Sequence, residues 1–403
     1  MSTHALLIHQ AFAGPNDPGG TRHYELGYRF VKSGNVFSVV ASRQSYLTGS
    51  QSGDVYEEPV QDLTIRRAYA LPTLHRSFVW RVASFLSFMA SSFREGCNAG
   101  SPDVIMGTTP PIFQALSAWL LAKLRDKPFL LEVRDLWPEF AIDMGVLKGR
   151  LPIAIARMLE SFLYAQATHI LVNSPAYRDY LLDRGIPADK ISFIPNGSDP
   201  SMFDPAARGD QFRHELQLAD KFVVTYAGAL GIANDIPTII RAADRLRNRD
   251  DIHFLLIGDG KERTNLEQQT NALKLTNITF AGTRPKTMMP TVLAASDACL
   301  ATLRDIPMFR TTYPNKVFDY MAAGRPVILG IDGVIREVVE AADAGMFVQP
   351  GSDEQLANAV TQLADDRASA ESMGRSGREY ITTHFNRDDH ADAFVTLLTQ
   401  LAK

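Results

Sequence analysis

The sequence predicts an α/β protein of two Rossmann-like domains, each a doubly wound parallel sheet, and three observations support this. The chain has 403 residues, more than the ~250–300 over which a single hydrophobic core grows. Short apolar runs alternate with segments of helical period, which implies parallel strands with helices on both faces. The alternation is interrupted by a turn-rich stretch that begins at Pro195-Asn196-Gly197 and continues to about Arg208.

The first half contains seven predicted strands, several of them apolar nearly throughout, as buried parallel strands are. They are Ala5–Ile8, Val36–Ala41, Leu63–Arg67, Val104–Met106, Phe129–Val133, His169–Val172 and Ile191–Ile194. The helices predicted between them include Thr21–Lys32, Pro111–Arg125, Leu151–Ala165 and Ala176–Arg184. We therefore predict an N-terminal domain over residues 1–197.

The second half repeats the alternation. Its predicted strands are Phe222–Tyr226, His253–Ile257, Ile278–Phe280, Ala298–Ala301, Val327–Leu329 and Met346–Val348. The predicted helices are Ile236–Leu246, Lys261–Leu273, Met288–Ala295, Lys316–Ala323 and Glu354–Asp365. We predict a C-terminal domain over residues 208–384 and a final helix, residues 385–403, that packs back on the N-terminal domain. Ligands of such domains bind at the carboxyl ends of the strands, so we expect a cleft site.

The composition narrows the class of protein. The content of 45% hydrophobic and 21% charged residues is that of a folded chain, and a net charge of −4 excludes a sequence-wide basic field for nucleic acid. Two cysteines are too few for a disulfide framework, which favours a reducing compartment. We see no signal peptide and no run of ~18 apolar residues, and we expect a cytoplasmic protein.

Glycine loops follow three of the predicted strands. The first contains Gly19 and Gly20, and the predicted helix Thr21–Lys32 follows it directly. Arg22 in its first turn offers a guanidinium suited to phosphate; the alternative is a tight turn with an exposed arginine. This loop lacks the G-x-G-x-x-G pattern, which argues against a nicotinamide enzyme. The other two loops contain the positions Gly228, Leu230, Gly231, Gly258 and Gly260, and Lys261 follows directly.

The most informative segment is Thr312-Tyr313-Pro314-Asn315-Lys316, which precedes or opens a predicted helix. Proline suits the start of a helix, so the backbone N–H groups of the next two residues would be unpaired and available to phosphate oxygens. Asp319 lies one turn later, where a carboxylate can accept from a ribose diol. The alternative is a capped helix with a solvated lysine and aspartate.

This segment, Pro314-x-Lys316-x-x-Asp319-Tyr320-Met321-Ala322-x-Gly324-x-Pro326-Val327, resembles the donor-binding segment of glycosyltransferase family 4, retaining enzymes of the GT-B fold. Further stretches fall in the order of that family, namely Gly19–Leu26, Glu132–Glu139, Val172–Ser174, Pro195–Gly197 and Gly258–Gly260. The subgroup most similar comprises bacterial enzymes that add N-acetylfucosamine-like sugars to lipid-linked intermediates of O-antigen, capsule or colanic-acid polymers.

The resemblance implies a hexosyl transfer from a nucleoside-diphosphate sugar, UDP-linked rather than GDP-linked, held mainly by the C-terminal domain. The acceptor, such as an undecaprenyl-diphosphate-linked sugar, would bind the N-terminal domain. As catalytic residues we predict Asp135, Lys261, Arg310, Lys316 and Asp319. Further donor-binding residues are Gly19, Gly20, Arg22, Gly228, Leu230, Gly231, Gly258, Gly260, Arg284, Thr312, Tyr313, Pro314 and Asn315. Arg134, Trp137 and Glu139 are assigned to the acceptor side, Glu139 being second choice to Asp135 as its carboxylate.

The sequence departs from the family pattern in two ways. Where many members carry two glutamates separated by seven residues, this chain has Thr311 and Asp319. The usual arginine and lysine after the first glycine loop of the second domain are missing, and Ile232 and Asn234 occupy that region. Lys261, Arg310 or Lys316 would then supply the positive charge. We find no aspartate-rich metal motif and predict transfer that needs neither a metal nor another cofactor.

A helix over Leu74–Phe93 is predicted to be amphipathic. Phe78, Val82, Phe85 and Met89 share one face, and Arg81, Ser84, Ser87 and Ser91 share another. Such a helix would lie on a membrane surface or, alternatively, pack on the first sheet. Two other functions remain open: a UDP-sugar 2-epimerase of the same fold, and a non-enzymatic two-lobed sugar-binding protein.

Overall fold

A computed structural model describes residues 2–17, 19–44, 55–57, 62–73 and 78–403. The chain divides into two compact units. Unit 1 consists of Met1–Gly14, Thr21–Pro195 and Asp388–Lys403, and unit 2 consists of Pro15–Gly20 and Asn196–Arg387. The chain therefore passes between the units at the Pro195-Asn196-Gly197 stretch.

Unit 1 is built on an eight-stranded sheet, counted over the described residues. Its strands are β1 (His4–Ile8), β2 (Val36–Ser42), β3 (Val55–Glu57), β4 (Leu63–Ala68), β5 (Val104–Thr108), β6 (Phe129–Val133), β7 (His169–Val172) and β8 (Ile191–Phe193). They lie in the order β3-β4-β2-β1-β5-β6-β7-β8, and only β3 runs antiparallel to its neighbour. In the centre, Ala5 pairs with Phe37 on one side and Val104 on the other.

The helices of the first half are α1 (Arg22–Lys32), α2 (Phe78–Cys97), α3 (Phe113–Arg125), α4 (Glu139–Asp143), α5 (Arg150–Gln166) and α6 (Pro175–Asp183). Those of the second half are α7 (Asp210–Glu215), α8 (Ile236–Arg245), α9 (Arg263–Ala272), α10 (Met289–Ala294), α11 (Asn315–Ala322), α12 (Val334–Ala341), α13 (Asp353–Asp365), α14 (Arg367–His384) and α15 (Arg387–Leu401). Helix α15 packs in unit 1, where Phe394 lies against Phe30 and Phe37 in the core.

Unit 2 has a six-stranded sheet. Its strands are β9 (Phe222–Ala227), β10 (Ile252–Ile257), β11 (Ile278–Gly282), β12 (Ala298–Thr302), β13 (Val327–Gly330) and β14 (Gly345–Phe347). They lie in the order β11-β10-β9-β12-β13-β14, and all pairs are parallel. The two parallel sheets with interleaved helices confirm the predicted fold class. The loops that follow β9, β10, β11 and β12 all lie at one edge of this sheet.

The structure corrects the prediction for the amphipathic helix. Residues 74–77 of the predicted Leu74–Phe93 segment lie outside the described residues. In α2, the supposedly polar position Ser84 is buried, and so is Phe88, while Val79 and Leu86 are exposed. The hydroxyls of Ser87 and Ser92 donate to carbonyls of the helix itself, Ser87 Oγ to Ser84 O at 2.8 Å and Ser92 Oγ to Met89 O at 3.1 Å, whereas the Ser84 hydroxyl is buried without a partner among the described residues. The inward face of α2 is therefore the serine-rich one.

Candidate donor and acceptor sites

The glycine loops after β9 and β10 pack directly against each other. A Cβ on Gly258 would overlap the Gly228 carbonyl oxygen, and a Cβ on Gly260 would lie 2.6 Å from the Leu230 carbonyl oxygen. Leu230 N donates to Asp259 O at 2.9 Å, and Leu230 O accepts from Glu262 N at 3.1 Å. These glycines therefore serve backbone packing, and the prediction that Leu230 binds donor is corrected, since its side chain is buried and both backbone groups are bonded.

Lys316 projects from the first turn of α11 to the loop after β9. Its Nζ lies 3.9 Å from the centre of the Tyr226 ring, and a Cβ on Gly228 would overlap it. No ion pair or hydrogen bond joins this ammonium to another of the described residues. Burial lowers the pKa of Lys316 from its usual value to about 7. A half-buried cation without a counter-charge is suited to an anionic ligand.

The N-terminus of α11 adds backbone donors beside this lysine. Pro314, in extended conformation, precedes Asn315, the first helical residue, and the backbone N–H groups of Asn315 and Lys316 have no backbone acceptor among the described residues. Asn315 Oδ1 is buried and unpaired. Within unit 2, a Cβ on Gly20 would lie 3.8 Å from Asn315 Nδ2, and Gly19 and Gly20 are exposed. We call Lys316, Tyr226, Gly228 and Asn315 the Lys316 site.

Asp319 lies one turn further along α11 and is held on both carboxylate oxygens. Oδ1 accepts from Ser198 Oγ at 2.8 Å, and Oδ2 accepts from Lys286 Nζ at 2.6 Å. The sequence did not indicate either partner, because Ser198, after Pro195-Asn196-Gly197, and Lys286, in a short 3-10 helix, are both far from Asp319 along the chain. The pair fixes the orientation of the Asp319 carboxylate while leaving further lone pairs for a hydroxyl donor.

Further cationic side chains of unit 2 include the predicted residues Arg284, Lys261 and Arg310. Arg284 and Arg263 converge on the end of β11, where a Cβ on Gly282 would lie 3.8 and 3.7 Å from their NH1 atoms. Lys261 is exposed. Arg310 is also exposed and lies beside Asp305 and Asp332 at 3.4 and 3.9 Å, so its ion pairs are with these carboxylates.

Two predicted donor-binding residues before α11, Tyr313 and Thr312, make packing contacts and hydrogen bonds with other residues of unit 2. The Tyr313 ring packs against Phe318 and Phe385, with centroids 5.6 and 6.1 Å apart, and its carbonyl accepts from Asn196 Nδ2 at 2.6 Å. Thr312 Oγ1 donates to Phe309 O at 2.8 Å. Gly231 O accepts from Asn234 N at 3.1 Å. The Tyr313 ring therefore supports the start of α11 by packing.

The structure also corrects the prediction that Arg22 binds phosphate. Its guanidinium is 1% exposed and donates to Glu132 Oε1 at 3.1 Å, Pro195 O at 2.7 Å and Ile194 O at 2.8 Å. These bonds direct the guanidinium donors to groups within unit 1. Arg22 instead neutralises Glu132, a buried carboxylate at the end of β6.

Glu132 is the centre of a buried charge cluster formed with Arg22, His23, Arg134 and His9. Glu132 also accepts from His23 Nε2 and, at 3.0 Å, from Thr108 Oγ1. Burial would raise its pKa, but His23, Arg22 and Arg134 together hold the pKa of Glu132 well below its usual range. Arg134 NH2 lies 3.0 Å from His9 Nε2, and burial lowers the pKa of His9 well below its usual value. This network fixes Arg134.

Asp135 differs from these neighbours because its carboxylate makes no hydrogen bond or ion pair with another described residue. Burial raises the pKa of Asp135 to about 6, with Arg134 acting in the opposite direction. Its backbone carbonyl accepts from Trp137 N at 2.9 Å, which fixes the turn after β6. A carboxylate that titrates near neutral pH and lies at the carboxyl end of a strand is suited to take a proton.

The other predicted acceptor-side residues have structural partners. Arg157 binds Glu139 in bidentate geometry at 2.9 and 3.0 Å, and Arg184 NH2 lies 3.6 Å away. Glu139 therefore connects α4 with α5 through these ion pairs. The half-buried Trp137 packs edge-on against Phe113 with centroids 5.9 Å apart.

The sequence reasoning missed His9, Lys286 and Ser198. His9 directly follows β1, and a polar residue at the carboxyl end of a buried strand is a signal that could have found it. Among the described residues, no group of three or more histidine, cysteine, aspartate or glutamate side chains is arranged to hold a metal ion. Within the same residues, no helix has the length and apolarity to cross a bilayer.

Comparison with known proteins identifies the architecture of both units. Residues 19–197 match the family described as "Glycosyl transferase 4-like domain", and residues 221–366 match "Glycosyl transferases group 1". The chain is 25% identical over 313 residues to WcaI of Escherichia coli, named as a colanic acid biosynthesis glycosyl transferase; the match covers 75% of this chain and 74% of WcaI. Several further curated glycosyltransferases match over about half to two thirds of their length.

Solved structures share the fold. Sucrose-phosphate synthase from Thermosynechococcus elongatus superposes with a TM-score of 0.79 at 22% identity, covering 99% of each chain. HepE from Anabaena, in complex with UDP and glucose, superposes with a TM-score of 0.75 at 18% identity, covering 98% of this chain and 99% of HepE. The two matched domains, the two parallel sheets and the glycosyltransferase relatives agree, and the chain belongs to family 4 of the glycosyltransferases, with the GT-B fold.

Proposed function

We propose that this enzyme transfers an amino-deoxy sugar from a UDP-sugar, with retention of anomeric configuration, to a lipid-linked or saccharide acceptor of bacterial surface polysaccharide synthesis. The observation that carries the proposal is the unpaired Lys316 ammonium at the N-terminus of α11. The relatives favour the biological setting, since WcaI is named for colanic acid biosynthesis and HepE was crystallised with UDP and glucose.

The Lys316 site would hold the diphosphate. The departing nucleotide gains negative charge as the bond between the anomeric carbon and the phosphate oxygen breaks, and pre-oriented cations and N–H groups stabilise that charge. Lys316 Nζ, the amides of Asn315 and Lys316, and Arg284 beside Gly282 would supply them without a metal. Asp319, oriented by Lys286 and Ser198, would accept from the ribose hydroxyls.

Unit 1 would prepare the acceptor. The acceptor oxygen forms the new bond to the anomeric carbon and loses its proton, and Asp135 is the carboxylate we assign to receive it. Its pKa of about 6 leaves it ionised at neutral pH and still basic enough to take a proton. Arg134, fixed by His9, Thr108 and the Glu132 cluster, would orient the acceptor beside it.

The experiment is a screen for nucleoside diphosphate release by purified protein across UDP- and GDP-linked sugars. Each donor is tested with and without extracted lipid-linked saccharide. We expect release of UDP from a UDP-amino-deoxy sugar that requires acceptor, that gives the α-linked product from an α-linked donor, and that persists in excess chelator. A chelator-dependent rate would overturn the metal-free step, and donor isomerised without acceptor would establish a 2-epimerase instead.

A further inference from the structure

Helix α5 is apolar on two opposite faces, although a helix of this kind is usually buried all round. Its inward face packs in unit 1 through Ala156, Leu163 and Tyr164. Its outward face exposes a second apolar set. Leu151 is 70% exposed, Ile155 51%, Met158 67% and Phe162 36%. Their spacing of four, three and four residues places all four side chains within about 60° of arc on the helix.

This outward face continues onto helix α3. The rings of Trp119 and Phe162 meet edge-on with centroids 4.8 Å apart, which joins the two helices. Beyond Trp119, the side chains of Leu120 and Leu124 are 46% and 68% exposed. We call the six exposed side chains the α3–α5 face, namely Leu120, Leu124, Leu151, Ile155, Met158 and Phe162. Several exposed apolar side chains on two helices that are in contact mark a surface for a partner or a lipid phase.

The charges on these helices have one sign. Helices α3 and α5 contain a single acidic residue, Glu160, whose side chain is 2% exposed. Exposed basic residues lie near the helix ends, at Lys123 in α3 and at Lys148 and Arg150 at the start of α5. Two aspartates, Asp126 and Asp143, lie beyond the helix ends.

An apolar face with a basic margin complements an anionic lipid surface, where aliphatic side chains enter the acyl boundary and basic ones meet the headgroups. A second copy of the chain fits less well. A twofold interface would place the same basic margin against itself, and like charges at an interface oppose association. We propose that the α3–α5 face docks this enzyme on a bilayer that contains anionic lipid.

The proposal differs from the sequence prediction, which assigned lipid contact to the segment that includes α2. It rests on the exposed side chains of unit 1 and does not depend on the proposed transfer reaction. Vesicle binding requires no donor, and UDP release from a soluble donor requires no vesicle, so the failure of one leaves the other intact.

The test is flotation of the full chain with vesicles of phosphatidylcholine, with or without phosphatidylglycerol. The variant is Ile155→Glu/Met158→Glu, and the matched control is Leu273→Glu, which adds a carboxylate at a 38% exposed leucine of unit 2. We expect wild type and control to float with the anionic vesicles, less so in high salt. The double variant should partition at least about tenfold more weakly, because two apolar contacts are lost and two charges enter the interface.

Lys148→Glu/Arg150→Glu should weaken binding to anionic vesicles and leave binding to neutral ones unchanged. The proposal fails if the Ile155→Glu/Met158→Glu variant, with an unchanged melting temperature, floats as wild type does. It also fails if wild type binds no vesicle, or if sedimentation shows a lipid-free dimer that the double variant abolishes. That last result would assign the α3–α5 face to self-association.

Discussion

Lys316 holds its ammonium nitrogen 3.9 Å from the centre of the Tyr226 ring, in the space that a side chain on residue 228 would occupy. The face of the Tyr226 ring attracts the cation weakly, and no carboxylate among the described residues forms an ion pair with it. Burial lowers its pKa to about 7, so the free enzyme carries a cation that is incompletely stabilised. An arriving phosphate would supply the missing charge.

Two glycines of the neighbouring loops should respond differently to alanine. In Gly228→Ala, the new methyl group meets the flexible end of Lys316 and the Tyr226 hydroxyl at a positive φ of 156°, so we expect a raised donor KM and a melting temperature lowered by backbone strain to about that of Gly351→Ala. In Gly258→Ala, the methyl group meets the backbone of Gly228, which should lower the free energy of unfolding by about 3 kcal/mol or more.

The control for both is Gly351→Ala. Gly351 has a positive φ of 82° and no atom within 4 Å of its Cβ position, so it isolates backbone strain. Thermal unfolding of the three variants, with donor kinetics, checks the prediction. Equal melting temperatures for Gly228→Ala and Gly258→Ala would contradict the backbone packing that we assign to Gly258.

The rate of transfer should depend on the ionisation of Asp135. Because its pKa is raised to about 6 and the base must be ionised, kcat/KM should fall about tenfold per pH unit below pH 6. Asp135→Asn should lower kcat at least about a hundredfold and abolish the acidic limb of the pH profile of kcat/KM. Asp143→Asn, at an exposed aspartate, should retain both. If Asp135→Asn keeps the acidic limb of the pH profile, that limb reports the ionisation of another group.

The buried charge cluster should govern the stability of unit 1. Glu132→Gln leaves Arg22 buried without its counter-charge, and we expect a loss of about 3–5 kcal/mol in the free energy of unfolding. Glu139→Gln removes an ion pair to a half-exposed arginine and should cost at most about 1 kcal/mol. The pKa of Glu132 is depressed, so its contribution is present at neutral pH and lost as pH falls through the acidic range.

Denaturant titration at neutral and acidic pH checks this pair of variants. Wild type and Glu139→Gln should lose stability on acidification by more than Glu132→Gln does. If Glu132→Gln is as stable as wild type at neutral pH, the cluster does not hold unit 1 together.

Asp319 should distinguish ribose from deoxyribose. If its carboxylate accepts from the 2′-hydroxyl, wild type should prefer UDP over 2′-deoxy-UDP by about tenfold, the worth of one hydrogen bond to a charged group. Asp319→Asn should lose most of that preference, and Lys286→Met should reduce it because the carboxylate is no longer fixed. Competition binding measures the ratio of the affinities for UDP and 2′-deoxy-UDP. If Asp319→Asn keeps the preference for UDP, Asp319 does not contact the ribose.

The sequence predicted the repeating strands and helices well, because buried parallel strands are apolar runs whose length and spacing are local properties. The strand β3 was missed; it is three residues long and pairs with only one neighbour. Helix α12 was missed, and α7 begins two residues after the predicted linker. Short elements depend on tertiary packing more than on pattern.

The site was only partly predictable. Motif order drew attention to Lys316, which reaches the loop after β9 from the first turn of α11, and to Asp135, which follows β6. Ligands bind near such strand ends in this fold. The same reasoning assigned Arg22 and Glu139 to ligands, although the fold joins them to Glu132 and Arg157 across 110 and 18 residues of sequence. Residue type does not show whether a charge faces solvent or a distant partner. Lys286 could not be identified for the same reason, since its bond to Asp319 joins residues 33 positions apart in sequence.

The most direct measurement of the central claim is calorimetric titration of UDP into wild type, Lys316→Gln and the exposed-lysine control Lys274→Gln between pH 6 and 9. The difference between wild type and Lys316→Gln cancels the titration of UDP itself. We expect wild type and control to bind at least about tenfold more tightly than Lys316→Gln at pH 6, with the advantage falling as pH rises above 7 and the lysine loses its proton. Equal affinities at every pH for wild type and Lys316→Gln would contradict the assignment of the Lys316 site to the donor diphosphate.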